Sequence, residues 1–218
     1  MIQAVIFDMD GLIVDTEILE SRALEQIVKE FGKKPQLNDN GLIHQIGGAG
    51  KTYYTNLISK YQLPLDPDTL KAKKRIIFEQ LVKNGGLKPF DGFFELLDII
   101  KKSKLKLALA SNRYIGHIHL ILDELRVKEY FDVIVGPSEM RKHKPHPDIY
   151  LHTAKQLGVE PENCLALEDT HTGILSAHTA GMKIIAVPNE YTKEHDFSHA
   201  DMVVKSLKSV TIELINTL

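Results

Sequence analysis

At 218 residues and 43% hydrophobic content the chain can bury a substantial core, either as one domain with a large insertion or as two small domains. A formal net charge of -2 leaves no basic excess for sequence-independent binding to a polyanion, which argues against nucleic acid as the main partner. Cys164 is the single cysteine, so no disulfide forms within the chain, and no stretch approaches the roughly 18 consecutive apolar residues of a membrane-spanning helix. With Asp8 and Asp10 interrupting the first apolar run, no secretory leader is expected either, and a soluble cytoplasmic protein is the expectation.

The first apolar run, Ala4-Val5-Ile6-Phe7, predicts a buried parallel strand, and it ends in Asp8-Met9-Asp10-Gly11. In an open α/β sheet ligands bind beyond the carboxyl ends of the strands. There, one of two carboxylates a residue apart can attack an electrophile, while the other protonates the leaving group and later takes a proton from water. Gly11 permits a tight turn whose backbone N–H groups can face an anion. An isolated pair of acids is more often a solvated turn, so its meaning depends on what joins it.

From Thr16 to Leu87 the pattern is helical, over residues 20–31, 51–61 and 69–82, with no convincing strand between. This predicts an inserted α-helical cap domain, residues 16–87, within a core made of residues 1–15 and 88–218, the cap overhanging the end of the first strand. Asp15-Thr16 is expected to cap the first helix, and Gly85-Gly86 followed by Pro89 to form a flexible return, or hinge. The run Ile46-Gly47-Gly48-Ala49-Gly50-Lys51 is either a backbone loop approaching substrate, with Lys51 offered to an anionic or hydroxylated tail, or a solvated turn. Gly50-Lys51-Thr52 resembles the end of a P-loop, but the glycine that motif needs is Gln45 here and no buried strand precedes it.

Strand and helix then alternate: helix 93–101, strand 105–110, helix 115–125, strand 133–135, helix 147–157, strand 164–167, helix 172–180 and strand 184–187. Such alternation predicts a Rossmann-like parallel sheet with helices on both faces. Ser111, Asn112 and Arg113 follow the second strand and can meet a phosphoryl group, although Ser111 alone reads as a helix cap. Lys144, in a loop restricted by Pro145 and Pro147, offers an ammonium to offset a phosphate and a nucleophile. With Arg141 and Lys142 it makes a short basic cluster, better explained by phosphate than by nucleic acid. Glu168-Asp169 closes the strand Cys164-Leu165-Ala166-Leu167, where adjacent acids repel unless a cation neutralises them, and oxygen ligands favour Mg²⁺ over zinc. Asp169-Thr170 can also cap the helix that follows. His171, His178, His195 and His199 lack a zinc-type spacing and read as surface and loop residues.

In combination, Asp8-Met9-Asp10-Gly11, Ser111, Lys144-Pro145 and Glu168-Asp169 resemble the haloacid dehalogenase superfamily, in its branch of phosphatases and phosphomutases with a helical cap after the first strand. Asp15-Thr16-Glu17 and the runs from Lys144 to Tyr150 and from Glu168 to Met182 extend the likeness over almost the whole chain. The resemblance implies Asp8 as a nucleophile that becomes an aspartyl phosphate, and Asp10 as general acid and base. It implies Ser111 and Lys144, with Asn112, Arg113 and Lys51 nearby, as the hold on the phosphorylated substrate. Mg²⁺ would be bound by Asp8, the backbone carbonyl of Asp10 and Asp169, with Glu168 close by or bound directly. The implied substrate is a small phosphorylated metabolite, a sugar or polyol phosphate, and a cap that opens and closes fits a monomer.

Within the superfamily, Asp10 argues against dehalogenation, because a departing halide needs no proton. A β-phosphoglucomutase is the alternative, but where that branch carries a histidine after the first strand this chain has Glu20, and where it carries a cap-loop arginine this chain has Gly50 with Lys51 beside it. A non-catalytic binding protein would be expected to have lost a nucleophile, lysine or metal ligand, and none is lost.

Overall fold

The computed structural model describes residues 1–38, 41–43, 50–139 and 142–218. In chain order these residues form β1 (Ala4–Phe7), α1 (Glu17–Glu30), α2 (Gly50–Tyr61), α3 (Pro67–Leu81), α4 (Phe93–Ser103), β2 (Lys106–Ala110), α5 (Ile115–Glu124), β3 (Val133–Val135), α6 (Asp148–Leu157), β4 (Cys164–Glu168), α7 (His171–Thr179), β5 (Lys183–Ala186), β6 (Met202–Val203) and α8 (Ile212–Asn216). They divide into two compact units, Met1–Asp15 with Lys88–Leu218, and Thr16–Leu87.

The first unit is an α/β Rossmann-like domain on a six-stranded sheet of order β3-β2-β1-β4-β5-β6, in which all the pairings are parallel. Ala4 lies opposite both Lys106 and Cys164, so β1 is hydrogen-bonded on both edges. From β1 the chain builds outward through β2 and β3 and then returns to add β4, β5 and β6 on the other side. The reversal falls between β1 and β4, and such switch points open a crevice at the carboxyl ends of the strands.

Alternation along the strands sorts side chains between the two faces. Ala4 and Ile6 of β1, Ala108 and Ala110 of β2, and Ala166 of β4 share a buried cluster with Ile149, Tyr150 and Ala154 of α6 and Ile174 and Ala177 of α7. The small alanines leave room for the ring of Tyr150, which is fully buried. Phe7, of opposite parity, meets the edge of Phe93 in α4, with ring centroids 6.1 Å apart. Continuing the first parity one step brings Asp8 and Glu168 onto the α6/α7 side at the strand ends.

The second unit is helical. Leu24, Ile27 and Val28 of α1, Leu57 and Tyr61 of α2 and Leu70 of α3 bury a core with Ile43 and Leu63. Asp66 caps α3, accepting from the N–H groups of Asp68 and Thr69 at 3.0 Å, and Pro67 fills the first turn where its missing N–H costs nothing. The sequence pattern started this helix at Thr69 and overlooked that signal. The ion pair of Lys74 with Glu20 at 2.6 Å ties α3 to α1. Gly85 has φ 77° in the last turn of this unit.

Thr16 makes no side-chain capping bond to α1, contrary to expectation, because its own φ/ψ of -86°/-18° is helical and not the extended conformation an N-cap uses. β6 and α8 were not predicted. The glycine-rich loop from Ile46 to Ala49, with Gln45, and Arg141 of the basic cluster lie outside the described residues.

Candidate active site

At the switch point three carboxylates converge. Ligand oxygens of Asp8, Glu168 and Asp169 all lie within 4.8 Å of one another, and all three residues are buried. Asp8 follows the last residue of β1, its N–H donating to the carbonyl of Leu167 at 3.0 Å. Glu168 is the last residue of β4 and Asp169 the next, so neighbouring strands deliver the three groups to one place.

One ammonium meets them. Lys144 Nζ donates to Asp8 Oδ1 and Glu168 Oε1, both at 2.6 Å, and to the carbonyl of Ala110 at 2.9 Å. The loop that presents it has a cis Lys144–Pro145 bond. Asn112 holds the same residue by its main chain, its Oδ1 accepting from Lys144 N at 3.2 Å. Tyr150 Oη donates to Glu168 Oε1 at 2.6 Å, giving that buried acid a second donor. Gly173 makes the room, since a Cβ there would collide with the Glu168 carboxylate. Thr170 caps α7 through Gly173 N at 3.1 Å, so the capping expected next to Asp169 occurs at Thr170.

Asp169 is held on one side only. Its Oδ2 accepts from Asn189 Nδ2 at 2.8 Å, while its buried Oδ1 has no hydrogen-bond partner among the described residues. Gly11 has φ 82°, and a side chain there would strike Asp169 and Asn189. Glycine is therefore needed both for the backbone angle and for the space.

Among the described residues the charges at the site do not balance. Three carboxylates facing one ammonium would, if all were ionised, leave two negative charges in a poorly solvated place, which raises the cost of ionising the acids. Burial first, and then the Glu168 and Asp10 charges, push Asp8 up to about 7 despite Lys144. Burial, with Asp8 and Glu168, pushes Asp169 up to about 9. Asp8 and Glu168 hold Lys144 well above the usual ammonium range in spite of its burial. An all-oxygen donor set, two uncancelled charges and an orphaned buried oxygen fit a hard divalent cation.

The other expected residues divide. Asp10 turns its carboxylate to Arg113, whose Nε donates to Oδ1 at 2.6 Å. Ser111 is buried at the end of β2, its Oγ accepting from Arg113 N at 3.1 Å. Asn112 spends its amide on the main chain of Lys144, and Arg113 reaches Asp10, so the trio that follows β2 is tied to the two loops beside it. Lys51 lies exposed in the first turn of α2, in the other unit. Sequence reasoning missed the parts played by Tyr150, Gly173 and Asn189. Tyr150 and Gly173 fall inside runs already singled out; Asn189 carried no signal beyond standing just after the β5 run.

An enzyme that cleaves phosphoric monoesters is the class that this fold and its relatives define. The sequence pattern of the family described as haloacid dehalogenase-like hydrolase matches residues 5–187, and the chain belongs to that family. It is 32% identical over 190 residues to the phosphorylated carbohydrates phosphatase of Thermotoga maritima, covering 84% of this chain and 83% of that one. It is 31% identical over 228 residues to the beta-phosphoglucomutase of Bacillus subtilis, covering 98% of this chain and 94% of that one. Among solved structures, CbbY from Rhodobacter sphaeroides in complex with phosphate superposes with a TM-score of 0.84 at 26% identity, covering 99% of this chain and 100% of that one.

Proposed function

We propose that this protein is a Mg²⁺-dependent phosphatase of a small phosphorylated metabolite, a sugar or polyol phosphate, working through an aspartyl phosphate on Asp8. The observation that carries the proposal is the arrangement around Asp8: Lys144 Nζ 2.6 Å from Oδ1, and Glu168 and Asp169 gathered beside it with ligand oxygens within 4.8 Å of one another. The sugar class rests on the relative from Thermotoga maritima named for phosphorylated carbohydrates.

Asp8, Glu168 and Asp169, with the backbone carbonyl of Asp10, would hold the cation. When bound it screens the charge between an anionic nucleophile and an anionic phosphoryl group. The remaining work falls to the chain. A carboxylate oxygen of Asp8 attacks phosphorus as the ester oxygen departs, and Asp10 gives that oxygen its proton. Asp10, now a carboxylate, takes a proton from the water that attacks the phosphorus of phospho-Asp8, and the P–O bond to Asp8 breaks to release inorganic phosphate. Lys144 and Ser111 compensate charge on the phosphoryl oxygens, which is most of what phosphoryl transfer asks of a protein. Residues 16–87 serve as the substrate-selecting cap, with Lys51 as a candidate contact.

The test is release of inorganic phosphate from a panel of phosphorylated sugars, polyols, glycolate and nucleotides, with Mg²⁺ and with chelator, using Asp8→Asn as the blank. Metal-dependent release from a few sugar or polyol phosphates is the expected result. No release, with β-glucose 1-phosphate converted to glucose 6-phosphate in the presence of a bisphosphate primer, would replace the phosphatase by a mutase. The pairing of Glu20 with Lys74 weighs against the mutase, whose branch places a histidine at that position.

A further inference from the structure

The geometry points to Asn189 as the residue that sets the orientation of Asp169 for the cation, a positioning role that rests on the metal-dependent reading above. Asn189 follows β5 by three residues and is far in sequence from both groups it joins. Its Nδ2 donates one hydrogen to the carbonyl of Gly11 and one to Asp169 Oδ2, each at 2.8 Å. Its Oδ1 accepts from Tyr191 N at 2.8 Å, and its own N–H donates to Thr192 Oγ1 at 3.0 Å.

These bonds define which way the amide faces. Tyr191 N can only donate, so the atom opposite it is the oxygen, and the NH₂ must point at two acceptors, the Gly11 carbonyl and the Asp169 carboxylate. Both amide hydrogens are then used.

The consequence for Asp169 is a division of labour between its oxygens. Oδ2 is engaged by Asn189, whereas Oδ1 is buried and has no hydrogen-bond partner among the described residues. A carboxylate free to rotate would exchange the two. Holding Oδ2 leaves Oδ1 as the oxygen available to a cation and fixes the plane of the carboxylate, so less ordering entropy is lost when a cation arrives. The other hydrogen of Asn189 fixes the Asp10-Gly11 turn to the same point, and Gly11 is packed so closely against Asp169 and Asn189 that a Cβ would not fit. The amide thus links the loops after β1 and β4 from a third position after β5. Partners of metal ligands typically matter at the level of 10–100-fold in metal affinity, roughly, when they are removed.

The experiment is calorimetric titration of the metal-free full chain with Mg²⁺, for wild type, Asn189→Ala and Asp169→Asn, with thermal unfolding of each metal-free protein alongside. The expected result is Mg²⁺ affinity weakened by about tenfold or more in Asn189→Ala, with metal-free unfolding little changed and KM for substrate unaffected at saturating Mg²⁺. Affinity within about twofold of wild type in Asn189→Ala, while Asp169→Asn loses binding, would overturn the role of Asn189 and leave the metal site standing. Wild-type affinity in Asp169→Asn would overturn the metal reading and this inference with it. If Asn189→Ala folds poorly, Asn189→Ser keeps an oxygen for the Tyr191 N–H but cannot bridge Gly11 and Asp169, and the same loss is expected. A residue needed only for the turn would lower the unfolding temperature without moving Mg²⁺ affinity.

Discussion

Arg113 clasps Asp10, its Nε donating to Oδ1 at 2.6 Å across 103 residues of sequence. The Arg113 side chain is itself only 11% exposed, so the residue expected to meet substrate phosphate is engaged with the proposed acid and base. Removing Arg113 should therefore act on turnover more than on binding. In Arg113→Ala, kcat is expected to fall about tenfold, in the lower range of a general acid–base contribution, with KM within about twofold. Steady-state kinetics decide: a large rise in KM at unchanged kcat would return Arg113 to the phosphate.

Among the described residues Lys144 is the one ammonium at the three acids, with its side chain 5% exposed. Removing the cationic partner from such a buried cluster costs about 3–5 kcal/mol, because the acids are left without compensation. Urea unfolding of metal-free Lys144→Ala at pH 8 should show a loss of that order, and saturating Mg²⁺ should restore part of it. Turnover should fall by about 100-fold or more, as when a charge-stabilising donor is removed. Stability equal to wild type would mean the acids are neutral without the lysine.

The raised acids make the metal-free protein sensitive to alkali, not to acid. Asp8 stands at about 7 and Asp169 at about 9, both above the 3.8 of an unperturbed aspartate. A folded-state pKa above the unfolded one gives stability that is fully present below the unfolded value and is lost as pH rises through the folded value. Metal-free unfolding temperature should therefore decline from about pH 4, where unfolded aspartates ionise, to about pH 9, and the increment given by Mg²⁺ should grow over the same span. Titration of Mg²⁺ at pH 7 in two buffers of different ionisation enthalpy should reveal proton release on binding. A Mg²⁺ increment independent of pH would contradict both shifts.

Gly173 predicts a steric result. A methyl group there meets the carboxylate of Glu168, which is itself fully buried between Tyr150 and Lys144. Gly173→Ala should cost about 1–3 kcal/mol through overpacking and weaken Mg²⁺ binding, although alanine is the better helix former. Denaturant unfolding with and without Mg²⁺ checks it, and a stabilised variant would show that Glu168 has room to move.

What could be foreseen from sequence tracks how local the cause is. The strands around Ile6 and Ala166 are buried throughout, and that around Leu109 is buried after its first residue, Lys106, so all three carry apolar runs legible without knowing their partners. Met202–Val203 is a two-residue strand and Ile212–Asn216 a five-residue helix, too short for any period to register. Asp66-Pro67 is a local capping signal that could have been read and was not. At the site, the acids and Lys144 stood out because polar residues ending apolar runs are conspicuous. Asn189 and the Arg113–Asp10 pair did not, because an ordinary asparagine after a strand acquires meaning only from Gly11, 178 residues away, and from Asp169.

β1 has a consequence for how the molecule comes into being. Its four buried residues form the middle of the sheet, yet Ala4 waits for Lys106 on one edge and for Cys164 on the other. During synthesis this apolar segment leaves the ribosome ahead of both partner strands and stays unpaired until they have followed, a long-range pairing that slows folding and exposes sticky backbone meanwhile. The helices α1, α2 and α3, made in the interval, rely on contacts near in sequence and can assemble early. Asp8 is thus made long before Lys144 and Asp169 reach it, so a growing chain carries its nucleophile well ahead of the groups that would put it to use.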